Sequence, residues 1–217
     1  MDVTDVTIET VRTVGPDAIT LELRSPAGFD ARPGQFIKLS AEIDGESTSR
    51  FYTISSPRVT DSFETTLTID PQGTFGPYLA GLEAGNSVRV AGPFGNSYYE
   101  DEGNTLVVAG GPGVGPAVGI GERTLEDGGE TAIVYLDDRP IHENRLETLS
   151  VMGAEVFIID TSDALTPAIK EALTEETQVF VYGFSSFLDV ATEAVAAAGA
   201  NAEAAKLESF GPAPDDE

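Results

Sequence analysis

The spacing of apolar residues differs between the first hundred residues and the rest of the chain. In residues 1–100, short runs rich in Val, Ile, Thr and aromatic residues are broken by Gly, Pro and Asp. Regularly spaced short runs predict an antiparallel β-barrel or sandwich. The predicted strands are Val6–Val11, Ile19–Leu23, Phe36–Ala41, Phe51–Ile54, Thr65–Ile69 and Ser87–Val90, and Thr74–Leu82 is a predicted short helix.

After about residue 105, predicted strands and helices alternate. The first strand, Leu106–Ala109, is apolar throughout, which is typical of a strand buried on both faces. The alternation predicts a parallel, doubly wound α/β sheet, which binds ligands at the carboxyl ends of its strands. The further predicted strands are 131–136, 155–159, 178–182 and 204–208, and the predicted helices end near 126 or cover 143–151, 166–173 and 186–198.

The two patterns predict two domains. We expect an antiparallel β-barrel domain at residues 1–100 and an α/β domain at residues 104–217, with a ligand cleft between them. The connecting segment, Glu100–Asn104, is rich in acids and contains Gly, which favours a flexible linker.

The charge of the chain is unusually negative. It has 12 Lys and Arg against 37 Asp and Glu, a net charge of −25 that is spread over the whole length. A nucleic-acid partner and binding to an anionic membrane are disfavoured, because both need a basic face. Concentrated salt would screen the self-repulsion, so we expect a halophilic protein; an acidic tail or disordered segment is the alternative.

Composition also removes several kinds of chemistry. The chain has no Cys, which excludes disulfides, thiolate metal ligands and thiol catalysis. Its one histidine, His142, stands in no metal-ligand pattern, so we expect it at the surface and expect no metal site. The start of the chain resembles no signal peptide, and its longest uncharged stretch is broken by Gly and Pro. We therefore expect a cytoplasmic protein without membrane insertion.

The segment Arg50–Ser55 carries the strongest local signal for a ligand site. Because side chains alternate along a strand, Arg50 and Tyr52 share one face, and Phe51 and Thr53 share the other. A cation, an aromatic ring and a hydroxyl so close together suit a flat, charged cofactor. An ordinary amphipathic strand is the alternative.

Two glycine-rich turns add to this signal. The segment Gly73–Leu79 opens a short helix, where free N–H groups favour an anion; a plain turn is the alternative. The segment Ala109–Pro116 lies between a buried strand and a helix, so its glycines allow a pyrophosphate to approach closely. Its spacing is not the Rossmann fingerprint, and no Lys-Ser/Thr follows, which disfavours a P-loop enzyme.

Six motifs resemble, in the same order, those of the ferredoxin–NADP reductase superfamily. Arg50–Thr53 resembles the Arg-x-Tyr-Ser/Thr flavin motif, and Gly110–Pro116 resembles the Gly-Gly-x-Gly-x-x-Pro nucleotide turn. The motifs span residues 32–211, so the resemblance covers both predicted domains. The other four are Arg32–Phe36 (Pro-Gly-Gln), Gly73–Leu79 (the Gly-x-x-Ser helix start), Gly92–Gly95 (Gly-Pro-x-Gly) and Glu208–Gly211 (Glu-x-Phe-Gly).

The resemblance implies FAD on the barrel and NADH or NADPH on the α/β domain, with the two rings meeting in the cleft. It implies that Arg50 holds the flavin pyrophosphate, that Tyr52 stacks on the isoalloxazine, and that Thr53 hydrogen-bonds the flavin N5, which accepts hydride. It also places Glu208 near the nicotinamide, so Thr53 and Glu208 are the candidate catalytic residues. The other implied cofactor-binding residues are Phe51, Ile54, Ser55, Gly73, Thr74, Gly111, Gly113, Pro116 and Gly183.

Two segments depart from the family pattern. The phosphate-binding helix start lacks its serine, for which Thr74 is the available substitute. The family's Cys-Gly-Pro is replaced by Tyr182–Ser185, where only Gly183 is kept, and this puts the placement of the nicotinamide in doubt.

The choice between the two nucleotides depends on the end of the second α/β strand. Asp137 and Asp138 favour the free ribose hydroxyl of NADH, whereas Arg139 favours the 2′-phosphate of NADPH. We expect NADH by a small margin.

The predicted function is a flavin-dependent oxidoreductase that moves hydride between NAD(P)H and FAD and passes electrons to a separate acceptor. That acceptor is a ferredoxin, a flavodoxin, an oxygenase component or a small oxidant, since the chain has no Cys for an iron–sulfur centre. The alternative is an electron-relay or dinucleotide-sensing subunit that does not turn over NAD(P)H. An acidic partner needs local cations on this chain. The candidates are Arg12, Arg24, Arg58 and Arg89.

Overall fold

The first sheet is antiparallel and barrel-like. In the computed structural model, which describes residues 3–174 and 176–213, six strands pair in the order β4-β3-β6-β1-β2-β5. The residues just after β4 meet β5 at a short bridge between Ile54 and Thr65, so the barrel is not fully closed. The elements are β1 (Thr4–Gly15), β2 (Ala18–Arg24), β3 (Phe36–Ile43), β4 (Glu46–Thr53), β5 (Ser62–Thr68), α1 (Phe75–Ala80) and β6 (Ser87–Phe94).

Alternation along these strands builds the barrel core. Ile8, Leu21 and Leu39 are fully buried in the barrel core, and the residues on either side of Ile8 and Leu39 are more exposed. The short helix α1 covers one end of the barrel with Phe75 and Leu79. The antiparallel fold expected from the sequence is confirmed.

The second sheet is entirely parallel. Five strands pair in the order β11-β10-β7-β8-β9, and helices cover both faces. The buried strand β7 alternates between two apolar cores, with Val107 on one side and Val108 on the other. The elements are β7 (Asn104–Gly110), α2 (Val114–Glu126), β8 (Glu130–Leu136), α3 (Glu143–Val151), β9 (Glu155–Ile159), α4 (Leu165–Ala172), β10 (Gln178–Gly183), α5 (Ser185–Ala198) and β11 (Lys206–Ser209).

This confirms the α/β class, and residues 214–217 of the predicted second domain lie outside the described residues. The strand order changes direction at β7, since β8 follows on one side and β10 lies on the other. In open α/β sheets, ligands bind beside the carboxyl ends of the strands at such a position.

The segment Glu100–Asn104 is tied down by ion pairs, contrary to the expectation of a flexible linker. Lys206 Nζ lies 2.8 Å from Glu100 Oε2 and 2.5 Å from Glu102 Oε1. Arg32 Nη1, from the loop before β3, lies 3.2 Å from Asp101 Oδ2. The acids that suggest flexibility in the sequence are therefore neutralised by cations from both halves of the chain.

Helix α2 packs directly on the barrel. A Cβ atom at Gly115 would lie 2.9 Å from Thr66 Cβ, and one at Gly119 would lie 2.9 Å from the carbonyl oxygen of Ser55. Any side chain at these positions would push the helix away. The close contact brings the end of β4 next to the helix that follows the glycine-rich turn.

Candidate cofactor cleft

A cleft of about 430 Å³ lies between the barrel and the α/β domain. It opens at the end of β4 and at the carboxyl ends of β7, β10 and β11, where the strand order predicts a ligand. Four of its nine lining residues are aromatic and three are threonines, and such a mixture of apolar walls and a few polar groups is typical of small-molecule sites. The lining residues are Phe51, Tyr52, Thr53, Thr66, Leu67, Thr68, Pro112, Phe184 and Phe210.

Arg50 and Tyr52 share one face of β4. The Tyr52 ring stacks on Phe75 of α1, with 6.3 Å between ring centroids and 19° between planes. Burial raises the pKa of Tyr52 to about 12, although the nearby Arg50 guanidinium acts in the opposite direction. Tyr52 is therefore a neutral aromatic ring with the Arg50 guanidinium nearby. Arg50 is exposed and donates a hydrogen bond to the carbonyl oxygen of Ser49 at 2.9 Å.

Phe51 and Thr53 lie on the other face of β4. Thr53 is 7% exposed and lines the cleft, and its carbonyl oxygen accepts a hydrogen bond from Thr65 Oγ1 at 2.8 Å. Phe51 is 60% exposed and packs edge-on against Phe36 and Phe94. The structure thus places a fixed hydroxyl residue inside the cleft and an exposed ring at its rim.

Ile54 and Ser55 are not brought into the cleft. Both are fully buried, Ile54 in the barrel core and Ser55 under α2. Ser55 Oγ donates to Glu64 Oε1 at 3.2 Å. Ile54 and Ser55, which the sequence predicts to bind a cofactor, therefore lie behind the residues that line the cleft.

Gly73 and Thr74 lie at the exposed start of α1. A hydrogen bond from the Gly73 N–H to the carbonyl oxygen of Asp70, at 3.0 Å, closes the turn before the helix. Thr74 is the N-cap of α1, and its side chain makes no capping hydrogen bond. Phe75 stacks on Tyr52, so α1 packs beside the face of β4 that carries Arg50 and Tyr52. The Thr74 hydroxyl lies at the start of this helix.

The glycines of the second turn have two different roles. Gly111 has a φ of +54° and open space where a side chain would be, so its backbone faces a potential ligand. A side chain at Gly113 would overlap the backbone of Tyr182, and a Cβ at Gly183 would lie 2.5 Å from the Phe187 ring. Pro116 is buried in the first turn of α2. Gly113, Pro116 and Gly183 therefore hold the turn against the sheet.

Glu208 lies beside the cleft. It is on β11, where its Oε2 would be 3.4 Å from a Cβ at Gly95, and partial burial raises its pKa. Its register partner on β10, Tyr182, is fully buried and donates its hydroxyl to the carbonyl oxygen of Ser97. The structure therefore places Glu208 next to the turn that follows β6 and does not include it among the lining residues.

Two aromatic residues absent from the expected site line the same cleft as Tyr52. Phe184 and Phe210 form an edge-to-face pair with 6.1 Å between centroids. Each follows directly after the carboxyl end of a parallel strand, Phe184 after β10 and Phe210 after β11. That position was the sequence signal that could have identified them.

His142 is buried, contrary to the expected surface position. It is 4% exposed, its Nε2 lies 2.8 Å from Thr66 Oγ1, and its backbone N–H donates to the carbonyl oxygen of Val14 at 2.8 Å. Burial, with the nearby charges of Arg145 and Arg12, lowers its pKa to about 3. The histidine is thus a neutral contact between the domains. The expectation failed because its partners are distant in sequence.

The comparisons with known proteins agree with this geometry. Residues 5–99 match the oxidoreductase FAD-binding domain family. The chain is 40% identical to the glycine betaine monooxygenase reductase subunit of Chromohalobacter salexigens over 101 residues. These residues make up 44% of this chain and 27% of that protein. It is 30% identical over 127 residues to the toluate 1,2-dioxygenase electron transfer component of Pseudomonas putida, which covers 57% of this chain and 37% of that protein. The chain thus spans about a third of these curated relatives.

A solved structure extends the likeness to the whole fold. A ferredoxin NADP+ reductase from Neisseria gonorrhoeae, with bound FAD and NADP, superposes with a TM-score of 0.77 at 17% identity, over 97% of this chain and 99% of that one. The chain therefore shares the two-domain fold of that reductase, and residues 5–99 resemble the oxidoreductase FAD-binding domain family.

None of the helices in residues 3–174 and 176–213 has the length and apolar character needed to cross a membrane. The same residues contain no cluster of three or more His, Cys, Asp or Glu side chains suited to hold a metal ion.

Replacing His142 by Gln is expected to reduce the loss of stability in acid. The pKa of His142 is about 3 in the folded protein and about 6.5 when unfolded, so folding opposes its protonation. Its contribution is present above pH 6.5 and is lost as pH falls towards 3, by up to about 1.4 kcal/mol per pH unit. Urea unfolding of both proteins at pH 7.5, 6.5 and 5.5 measures this. Parallel stability curves for the two proteins would contradict the assignment.

Proposed function

We propose that this chain takes hydride from NADH or NADPH onto bound FAD and passes the electrons to a separate acceptor. The observation that carries the proposal is the meeting of two walls in one cleft. One wall carries Tyr52 and Thr53 of β4, and the other carries Pro112 of the glycine-rich turn and Phe184 after β10. Each wall belongs to a different domain, as a site for a donor and an acceptor ring requires.

The residues present fit FAD. The exposed Arg50 guanidinium is available to a pyrophosphate, and the Thr74 hydroxyl and free N–H groups at the start of α1 are available beside it. Tyr52 offers a neutral, half-buried ring for stacking, and Thr53 offers a hydroxyl within the cleft. When bound, FAD supplies the conversion between two-electron and one-electron transfer.

The surroundings of Asp137 support NADH as the nucleotide. Asp137 accepts hydrogen bonds from Tyr135 Oη and from the backbone N–H of Arg139, both at 2.8 Å, which fixes its carboxylate at the end of β8. The Arg139 guanidinium lies 3.4 Å from Asp17 of the barrel. A fixed acid suits a ribose hydroxyl, and the one nearby cation already faces an acid.

Replacing Arg50 by Leu is expected to raise the dissociation constant for FAD roughly 10- to 100-fold, the value of one charged hydrogen bond. FAD binding would be measured by flavin fluorescence in molar salt. Arg24→Leu is the matched control, because Arg24 is exposed and pairs with Glu9 within the barrel.

The same preparations test turnover. Flavin absorbance that bleaches anaerobically with NADH at lower concentration than with NADPH supports the reductase and its nucleotide. Bound flavin that neither nucleotide bleaches would contradict the reductase. Failure to bind flavin at all would contradict the role of Arg50 and Tyr52.

We further propose that the acceptor is an acidic electron-transfer protein that docks around Phe51. Lys38 lies beside Phe51 on the outer face of the barrel, and Arg89 is two positions from Ala91, the other register partner of Lys38. Neither cation forms an ion pair within the described part of the chain. Phe36, Phe51, Phe94, Lys38 and Arg89 thus form an aromatic patch with two cations on an acidic protein, in which Asp5 is the register partner of Arg89.

The ion pairs of the four candidate arginines and the names of the relatives also support an acidic protein acceptor. Of the four arginines expected to dock a partner, Arg12, Arg24 and Arg58 pair with acids of the chain, which leaves Arg89. The two relatives described above are a monooxygenase reductase subunit and a dioxygenase electron transfer component. Both names favour a protein acceptor over a small oxidant.

Reversing the charges with Lys38→Glu and Arg89→Glu is expected to raise the KM for an acidic [2Fe–2S] ferredoxin at least about fivefold, because charges at the rim steer association. Reduction of ferricyanide by NADH should stay unchanged. Lys170→Glu, on α4, is the matched control. An equal effect from Lys170→Glu would show general repulsion and contradict a local docking patch.

We also propose that the protein works in the cytoplasm at high salt. The excess of 25 negative charges supports this, since screening reduces their mutual repulsion. The free energy of unfolding is expected to rise between 0.2 and 3 M KCl, measured by urea titration. A stability that falls or stays constant over this range would contradict the adaptation to salt.

A further inference from the structure

Arg145 joins the two domains beside the close contact between Gly119 and Ser55. It lies in the first turn of α3 and reaches both α2 and the barrel. Its Nε and Nη2 donate to the two carboxylate oxygens of Glu122, at 2.8 and 2.7 Å. Its Nη1 donates to Glu64 Oε1 at 2.9 Å, and Nη2 also donates to the carbonyl oxygen of Ser55 at 2.8 Å.

The groups that Arg145 joins lie next to the two walls of the cleft. Ser55 is two residues after Thr53 on the same chain segment. Glu122 is on α2, the helix that continues the glycine-rich turn, and Glu64 is on β5 beside the bridge that joins β4 to β5. A displacement of Arg145 would therefore act on the spacing between the walls without a direct contact to either cofactor.

The surroundings make this contact rigid. The side chains of Arg145 and Glu64 are 24% and 12% exposed, so solvent screens their attraction only partly. The paired bonds to Glu122 fix the plane of the guanidinium. Glu64 is held further by Ser55 Oγ and by Arg12, and Gly119 leaves no room between α2 and Ser55.

We propose that Arg145 is a positioning residue that sets the distance between the flavin wall and the nucleotide wall. This rests on the proposed function. It goes beyond that function because it assigns the spacing to one ion-pair cluster, formed by Arg145, Glu64 and Glu122. None of these three residues lines the cleft. Because hydride transfer depends steeply on the approach of donor and acceptor, an error of about 1 Å costs on the order of 100-fold in rate.

The test uses the full chain with Arg145→Leu, Arg145→Lys and the control Arg24→Leu. Arg145→Leu should lower the rate constant of flavin reduction at saturating NADH about 10- to 100-fold. The dissociation constant for FAD should change less than about twofold, since Arg50, Tyr52 and Thr74 are untouched. Arg145→Lys keeps the charge but loses the paired bonds, so we expect it to recover part of the rate.

A second measurement does not depend on turnover. In the protein without cofactors, hydrogen exchange of the backbone amides in residues 54–56, 114–115 and 117–120 should become at least about tenfold faster in Arg145→Leu and stay unchanged in Arg24→Leu. Glu122→Gln removes the charge of one partner and should give a smaller change of the same kind, which keeps the test valid if Arg145→Leu does not fold.

The outcomes separate the two proposals. A wild-type protein whose bound flavin is not reduced by NADH or NADPH overturns the proposed function, while the exchange measurement still tests the contact. A wild-type protein that is reduced, with Arg145→Leu or Glu122→Gln reduced at the same saturating rate, overturns the positioning role. Faster exchange with an unchanged rate assigns Arg145 to domain stability alone and also overturns it.

Discussion

The close packing of α2 on the end of β4 is the contact on which the rest of the structure depends. Two glycines, Gly115 and Gly119, let the helix backbone meet Thr66 and Ser55 with no side chain between them. Because α2 continues the glycine-rich turn and β4 carries Tyr52 and Thr53, which line the cleft, this contact also determines where the cleft is. The packing of α2 on the end of β4 therefore limits the distance between the two walls of the cleft.

One strand therefore has three roles within six residues. Arg50 and Tyr52 present one face beside α1, and Thr53 and Phe51 present the other towards the cleft and its rim. Ser55 then enters the domain interface. Strand alternation explains the first two roles, since successive side chains point to opposite faces. The third follows from the bridge to β5, which turns the end of β4 under α2.

Electrostatics adds a second constraint, because cations are scarce in this chain. With 12 Lys and Arg against 37 acids, most cations are committed to contacts that join distant segments. Lys206 ties the connecting segment to β11, and Arg58 reaches from the barrel to Glu126 and Asp127. Lys38 and Arg89 lie on one face of the barrel and form no ion pair among the described residues, which leaves their charges available for contacts outside the chain.

What the sequence by itself determined is the kind and order of the elements, the two sheet types and the resemblance to a family. These depend on local periodicity, turn residues and short motifs, which are read within a few residues of each other. Residues within one motif, such as Tyr52 and Thr53 or Gly111, were accordingly found in or beside the cleft. Their roles towards the cofactors stay predictions.

Only the tertiary structure decided how distant segments meet. It buried His142 against Thr66, neutralised Glu100 and Glu102 with Lys206, placed Ser55 in the interface and brought Phe184 into the same cleft as Tyr52. Each of these contacts joins residues far apart in the chain, and none leaves a periodic signal. Burial and charge pairing depend on which surfaces come together, and that is a property of the packed domains and not of any single segment.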